Sequence, residues 1–282
     1  MPTRKVRVEV GRAIADGRMS DRLWMYATYH CNLRCAYCLT ESSPRIRHRR
    51  ALSNDAMVAA AREAVSLGFA RVGVTGGEVF MLPGVTDALA EIAGLMPTVV
   101  LTNGTLVTDQ LLRRLAPLAG ADGFALQISL DSADPAVNDR LRGPGNFRGV
   151  CTAVPRLLDA GIRVRIATTV EHQAASELAE LCNLHRGWGI DDSDHVVRPV
   201  LRRGRAATQR MGVVAPPEDL LPELTITAEG AFLDPFAPTV HRGVTDLDRL
   251  VSRQTAPLEA AAAAFLEAIE SRPGSDVERN IR

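Results

Sequence analysis

The chain has 282 residues, with 33 Lys plus Arg against 33 Asp plus Glu and therefore no formal net charge; 46% of its residues are hydrophobic and 23% charged. That balance excludes intrinsic disorder, which combines low hydrophobicity with high net charge, and a bulk nucleic-acid binder, which would be basic. No run approaches the roughly 20 apolar residues that cross a bilayer, and the N-terminus, MPTRKVRVEVGRAIADGR, has no apolar signal region, so the expectation is a cytoplasmic protein with reduced thiols and no membrane or nucleic-acid partner.

Residues 1–21 read as an N-terminal segment. From residue 22 to 200, apolar β-rich runs alternate with stretches of helical period. The first run is Leu23 to Tyr29. A helix follows, with Ser53 as N-cap and Gly68 as the stop; its apolar positions Met57, Ala61, Ala64 and Leu67 share one face. Then come ARVGVTGG and a helix over 85–95, TVVLTNG and a helix over 108–118, FALQISLDS and a helix over about 147–160, IRVRIATTV and a helix over 175–187, and finally HVVRPVL. Near-continuous apolar strands joined by helices predict parallel strands covered by helices, either an open doubly wound sheet or a partial barrel, with the chemistry at the C-terminal ends of the strands. Residues 201–282 break the alternation: a basic loop, Pro216, Pro217 and Pro222, a β-like segment LTITAEGAFLDPFAP turning at Glu229–Gly230, a helix with Pro257 near its first turn, and a polar tail.

Three of the five cysteines, Cys31, Cys35 and Cys38, crowd into the run HCNLRCAYC directly after the first strand. A disulfide framework does not have that spacing; a soft-metal site does. Three thiolates on a 4Fe–4S cluster would leave one iron open to a small molecule. A zinc knuckle completed by His30 or His48 is the competing reading.

This spacing resembles the C-x3-C-x-Φ-C motif of the radical S-adenosylmethionine (SAM) superfamily, with Tyr37 as the aromatic Φ, and the resemblance extends over about residues 22–200. It implies a partial (β/α)6 TIM-type barrel followed by a short C-terminal α/β extension over 201–282 that covers the active site. It also implies one 4Fe–4S cluster on Cys31, Cys35 and Cys38, SAM as cosubstrate, and a reductant such as flavodoxin or ferredoxin. Thr75, Gly76, Gly77 and Glu78 match the family's Gly-Gly-Glu motif, which holds the SAM ammonium group; glycines admit close backbone approach, and a carboxylate pairs with a cation. Thr102 and Asn103 with Gly104 look like a family loop near the ligand, and Ser129 and Asp131 like its ribose contacts. Tyr37 would lie near the adenine, and Arg142, in NDRLRG, resembles an arginine that takes the SAM carboxylate by bidentate pairing. The implied chemistry is one-electron cleavage of SAM to a 5′-deoxyadenosyl radical that removes a hydrogen atom from substrate.

The C-terminal segment resembles the start of a SPASM/twitch-like auxiliary-cluster module, but Phe236 follows Pro235 where a cysteine would stand, and no cysteine follows Cys182. It therefore reads as a cysteine-free remnant. Cys151 and Cys182 fall on apolar helical stripes and read as core; the sharper reading makes Cys151 a hydrogen-atom donor to a product radical. Arg45, Arg47, Arg49 and Arg50 form one basic loop and Arg198, Arg202, Arg203 and Arg205 another, either solvated surface or recognition of an anionic substrate. The leading expectation is a radical SAM enzyme acting on a small-molecule biosynthetic substrate, with a ribosomal-peptide modifier as the alternative. Two non-enzymatic readings stand beside these, an iron–sulfur carrier or scaffold and a zinc-binding regulatory module.

Overall fold

The structure, a computed structural model, describes residues 3–46, 50–171, 173–216 and 219–271. Arg47, His48, Arg49, Pro217 and the tail from 272 onward lie outside the described residues.

The chain opens on a helix that the sequence pattern does not announce, α1 (Arg4–Ala15), which packs on the later helices through Val10 and Ala13. Its apolar residues Val6, Val10, Ala13 and Ile14 do carry a helical period, but the basic residues between them mask it. Six strands then lie side by side in chain order, all parallel: β1 (Arg22–Thr28), β2 (Arg71–Gly76), β3 (Thr98–Thr102), β4 (Phe124–Ser129), β5 (Val164–Val170) and β6 (His195–Pro199). The connecting helices are α2 (Asn54–Leu67), α3 (Val85–Ala93), α4 (Asp109–Leu115), a short α5 (Pro135–Arg142), α6 (Asn146–Asp159) and α7 (Ala175–Gly187). Helix α2 starts and stops as its sequence predicts: Ser53 Oγ accepts from Ala56 N at 3.1 Å, and Gly68 adopts φ 98°.

Side chains alternate across each strand. Leu23, Met25, Ala27, Val72, Val74, Leu126, Ile128, Val164 and Ile166 pack with Met57, Leu89, Val150, Val154 and Leu157 of the helices in one core. Each fully buried Val, Leu, Ile or Met side chain among them contributes roughly 1.5–3 kcal/mol. The alternate positions, Tyr26, Thr75, Gln127, Ser129, Thr169 and Arg198, therefore face the other side of the sheet.

That other face is concave. Neighbouring strands are spaced by about 4.8 Å, so in a flat sheet β1 and β5 would be ~19 Å apart. Yet Val200, just past β6 and farther still in a flat sheet, packs in one cluster with Ala36 and Tyr37 of the loop that leaves β1. The loop after β6 reaches the loop after β1, with Arg205 N donating to Cys38 O at 2.9 Å. The sheet is a partial barrel, with β6 one of its unpaired edges.

Beyond β6, the chain forms α8 (Arg205–Gln209) and then adds to the same sheet. The strand β7 (Thr225–Thr227) pairs parallel with β1, and β8 (Gly230–Phe232) pairs antiparallel with β7. The turn is Ala228–Glu229, one residue earlier than the sequence suggests, because Gly230 is already in the strand. A small hairpin, β9 (Val240–His241) with β10 (Val244–Thr245), precedes β11 (Leu250–Ser252), which closes the sheet order β11-β8-β7-β1-β2-β3-β4-β5-β6. Helix α9 (Leu258–Glu270) packs on α1, α2 and β11 through Leu258, Ala261, Ala262, Phe265 and Leu266.

Candidate active site

The cysteine run leaves β1 at its C-terminal end and is held by neighbours on several strands. Cys31 is buried, and its Sγ accepts from Leu33 N at 3.3 Å and faces Asn103 Nδ2 at 3.7 Å. Cys38 Sγ lies 3.6 Å from Thr40 Oγ1, which in turn bonds Ser42 Oγ at 2.7 Å. Burial pushes the Cys31 thiol up to about 12 and the Cys35 thiol up to about 11. The three sulfurs are near enough for Cys35 and Cys38 to raise Cys31 further through their charge.

The Gly-Gly-Glu turn sits against this run. Gly77 N donates to Thr28 O at 2.6 Å and Glu78 N to His30 O at 2.9 Å. A Cβ on Gly76 would stand 2.3 Å from Thr28 O and one on Gly77 2.2 Å from His30 O, so the glycines are required by the chain's own backbone. Glu78 is fully buried, and its oxygens accept from Thr102 Oγ1 at 2.8 and 3.0 Å, Asn103 N at 2.9 Å and Phe80 N at 3.1 Å. Burial raises its carboxyl despite these donors. Asn103 carries the network on: its Nδ2 donates to Asn32 Oδ1 at 2.8 Å and its Oδ1 accepts from Thr105 N at 2.9 Å. Cys31, Glu78, Thr102 and Asn103 thus belong to one hydrogen-bonded unit spanning β1, β2 and β3.

A second unit joins β1 to β4 and β5. Tyr37 Oη donates to Asp131 Oδ2, and Arg142 Nε approaches the same oxygen at 2.8 Å. Asp131 Oδ1 accepts from Arg142 Nη2 at 3.1 Å and Thr169 N at 2.9 Å. The Arg142 guanidinium also lies 5.6 Å from the Tyr37 ring centroid. Burial lifts the Tyr37 phenol well above its ordinary range, and Asp131 holds Arg142 charged. Helix α5, which the sequence pattern does not announce either, delivers Arg142. Its signal is Asp134–Pro135: the Asp134 carboxylate accepts from Ala136 N at 2.7 Å, and proline suits the first helical position. The same helix presents Asn138, which accepts from Asp131 N at 3.0 Å and donates to Asn146 Oδ1 at 2.9 Å. Asn32, Thr105, Asn138 and Asn146 are site residues that sequence reasoning does not single out; polar side chains spread over four segments leave no local pattern.

Thr75 and Ser129 are half-buried on the concave face and make no side-chain hydrogen bond among the described residues. The structure does not bring Cys151 to this group. It lies on α6, half-buried in the helical layer, while the neighbouring Val150 packs with Ile128 on the far side of β4. Cys182 Sγ lies 3.5 Å from His195 Nδ1, also in the helical layer.

The basic loops are spent mostly on internal partners. Arg50 pairs with Glu229 at 2.6 Å, Arg203 with Asp248 at 2.8 Å, and Arg202 Nη2 donates to Gly212 O at 2.6 Å. Arg45 is exposed. Arg198 differs: it points to the concave face, packs 5.9 Å from the Phe236 ring centroid, and makes no hydrogen bond or ion pair among the described residues.

The residues suit a thiolate-bound cluster. Buried thiols with raised proton affinity need a strong positive charge to ionise, and iron supplies it. Two N–H groups aimed at the Cys31 sulfur favour its thiolate. No three His, Cys, Asp or Glu among the described residues are grouped to hold one metal ion. His48, one of the two candidate fourth ligands of a zinc knuckle, lies outside the described residues.

A parallel, partly closed α/β barrel with a thiol loop at the C-terminal end of its first strand defines the class. Residues 25–184 match the model of the radical SAM superfamily, and the chain belongs to that superfamily, whose members use a 4Fe–4S cluster and SAM. It is 33% identical over 164 residues to the antilisterial bacteriocin subtilosin biosynthesis protein AlbA of Bacillus subtilis (strain 168), covering 57% of this chain and 36% of that protein. It is also 33% identical over 157 residues to GTP 3′,8-cyclase of Pseudomonas putida (strain ATCC 700007 / DSM 6899 / JCM 31910 / BCRC 17059 / LMG 24140 / F1), covering 54% of this chain and 46% of that protein. The chain thus spans less than half the length of these two relatives. The fold is shared with Streptococcus suis SuiB bound to S-adenosylmethionine, at a TM-score of 0.55 and 21% identity, over 69% of this chain and 44% of SuiB.

Proposed function

We propose that this chain is a radical SAM enzyme that removes a hydrogen atom from a small-molecule biosynthetic substrate carrying an anionic group. The observation that supports it most is the direct contact of Asn103 with both the Cys31 sulfur and the network around Glu78, which couples the thiol loop to the Gly-Gly-Glu turn. When bound, the cluster supplies the electron that cleaves SAM.

The chain's own residues would then bind and shield. Cys31, Cys35 and Cys38 hold the cluster, while Thr102, Asn103 and Glu78 keep the Gly-Gly-Glu backbone against the thiol loop. Thr75 and Ser129 offer unspent hydroxyls to SAM. Tyr37, Asp131 and Arg142 would form its rigid wall, already locked to one another before SAM arrives. The described part of the C-terminal extension would cover the site: Pro235 O accepts from Tyr26 Oη at 2.6 Å, Val240 N donates to Leu39 O at 2.9 Å, and Phe236 meets Arg198. Excluding water there protects a reaction that would otherwise attack any nearby C–H bond. Arg198, which forms no ion pair among the described residues, is the group that would receive a carboxylate or phosphate. The five unpaired thiols agree with a cytoplasmic location, where a flavodoxin- or ferredoxin-type reductant is available. No helix among the described residues is long and apolar enough to cross a membrane.

Anaerobic reconstitution, reduction with dithionite and an assay for 5′-deoxyadenosine test the reading. Fully loaded protein that forms none would leave an iron–sulfur carrier in its place. A peptide substrate is the second reading, favoured by the similarity to the subtilosin biosynthesis protein. Deuterium transfer into 5′-deoxyadenosine, from labelled anionic metabolites in one arm and labelled peptides in the other, separates the two.

A further inference from the structure

Arg205 is 5% exposed, yet it has no carboxylate partner among the described residues. Its hydrogen bonds go to the backbone of the thiol loop instead. Nη1 donates to Cys35 O, Nη2 donates to Ser42 O at 3.0 Å, and the Arg205 amide donates to Cys38 O at 2.9 Å. The preceding residue completes the seat. Gly204 has φ 54°, and a Cβ there would stand 2.1 Å from Leu39 O and 2.7 Å from Cys38 O, so only glycine lets the two loops close on each other. A guanidinium reaches two separated carbonyls because its donors diverge in a fixed plane. Arg142, the other buried cation near the thiols, is already neutralised by Asp131. Arg205 is not, and its guanidinium sits directly on the carbonyl of the ligand residue Cys35.

We infer that Arg205 is a positioning residue for the iron–sulfur cluster: it staples the thiol loop through the carbonyls of Cys35, Cys38 and Ser42, and its unpaired positive charge raises the cluster's reduction potential. This rests on the proposed cluster on Cys31, Cys35 and Cys38. Cluster potentials follow net charge and the groups around the sulfurs. A buried cation without a counter-ion favours the more negative, one-electron-reduced cluster; the electron comes from an external low-potential reductant.

The test compares wild-type protein with Arg205→Gln and Arg205→Lys, each reconstituted anaerobically and studied without SAM. Three quantities are read: iron and sulfide per chain, the rate of iron loss to a chelator, and the midpoint potential from an electron-paramagnetic-resonance titration. Arg205→Gln should disfavour reduction about tenfold, a lowering of about 59 mV for one electron, and lose iron several-fold faster. Arg205→Lys should keep the potential within about twofold in the equilibrium while still losing iron faster, since one ammonium cannot span both carbonyls. An unchanged potential in Arg205→Gln overturns the charge role, and wild-type iron retention in Arg205→Lys overturns the staple. Should the glutamine variant not fold, Arg205→Met takes its place in the potential titration by the same criterion, and the lysine variant still decides the staple. Wild-type protein that never loads a cluster would instead sink the functional reading beneath.

Discussion

Arg142 and Asp131 meet inside the protein, with Nε 2.8 Å from Oδ2 and Nη2 3.1 Å from Oδ1, at 6% and 1% exposure. Eleven positions apart and on different elements, they lock the end of β4 to α5, and Tyr37 brings the thiol loop to the same carboxylate. Removing one partner strands a buried charge, which costs far more than an exposed pair is worth. Arg142→Met should lower unfolding free energy by about 3–5 kcal/mol, read from urea denaturation at pH 7. A loss below about 1 kcal/mol would show that Asp131 is adequately served by Thr169 and Tyr37.

Two glycines should respond oppositely to alanine. Gly77→Ala drives a Cβ to 2.2 Å from the His30 carbonyl, a backbone atom that cannot swing aside. It should destabilise by about 1–3 kcal/mol and reduce iron uptake. Gly187, in the last turn of α7, has nothing within 4 Å of the point where an alanine methyl would stand. Gly187→Ala should be neutral or stabilise by up to about 1 kcal/mol. Thermal melts of both variants check the contrast.

Cys151 lies in the helical layer rather than on the concave face, so Cys151→Ala should leave 5′-deoxyadenosine formation and product yield unchanged. Its loss of side-chain volume should cost at most about 1 kcal/mol. Abolished product with intact SAM cleavage would restore the hydrogen-donor role.

His185 is 1% exposed with no partner on either ring nitrogen among the described residues, and its ring lies edge-on to His195 at 4.5 Å. Burial pushes it down to about 3 from an ordinary 6.5. The folded state keeps it neutral, whereas the unfolded chain takes up a proton below about 6.5. Stability from this group is therefore complete above about pH 6.5 and is lost as pH falls from there toward about 3. His195, also lowered by burial, adds a slope of the same sign. Urea midpoints at pH 7 and pH 5 should differ less for His185→Phe than for wild type.

Strand β7 covers the edge of β1. Ending the chain after residue 221 should expose that edge, and an unpaired parallel strand edge promotes association. The truncated protein should elute as aggregate in size-exclusion chromatography where the full chain does not. A well-behaved truncated monomer would show that residues 22–200 fold without the extension.

Much of this is legible in one dimension. The strands and their major helices are continuous apolar periods with caps at their ends, as Ser53 and Gly68 illustrate, and the thiol spacing lies within eight consecutive positions. Helices α1 and α5 are not legible, the first because basic residues interrupt its stripe, the second because it is two turns long and mostly polar. Arg205 is hidden for another reason. In the run LRRGRAATQR it looks like its neighbours, and only its depth distinguishes it.

Local order along the chain thus settles what each segment becomes and where thiols can gather, since helical and strand periods and ligand spacings are short-range properties. The assembly of the site is different. Tyr37 reaches Asp131 across 94 positions and Arg205 reaches Cys35 across 170. Which arginine pairs, which staples and which is left open depends on how far the sheet curls, and that curvature is a property of all the strands packed together.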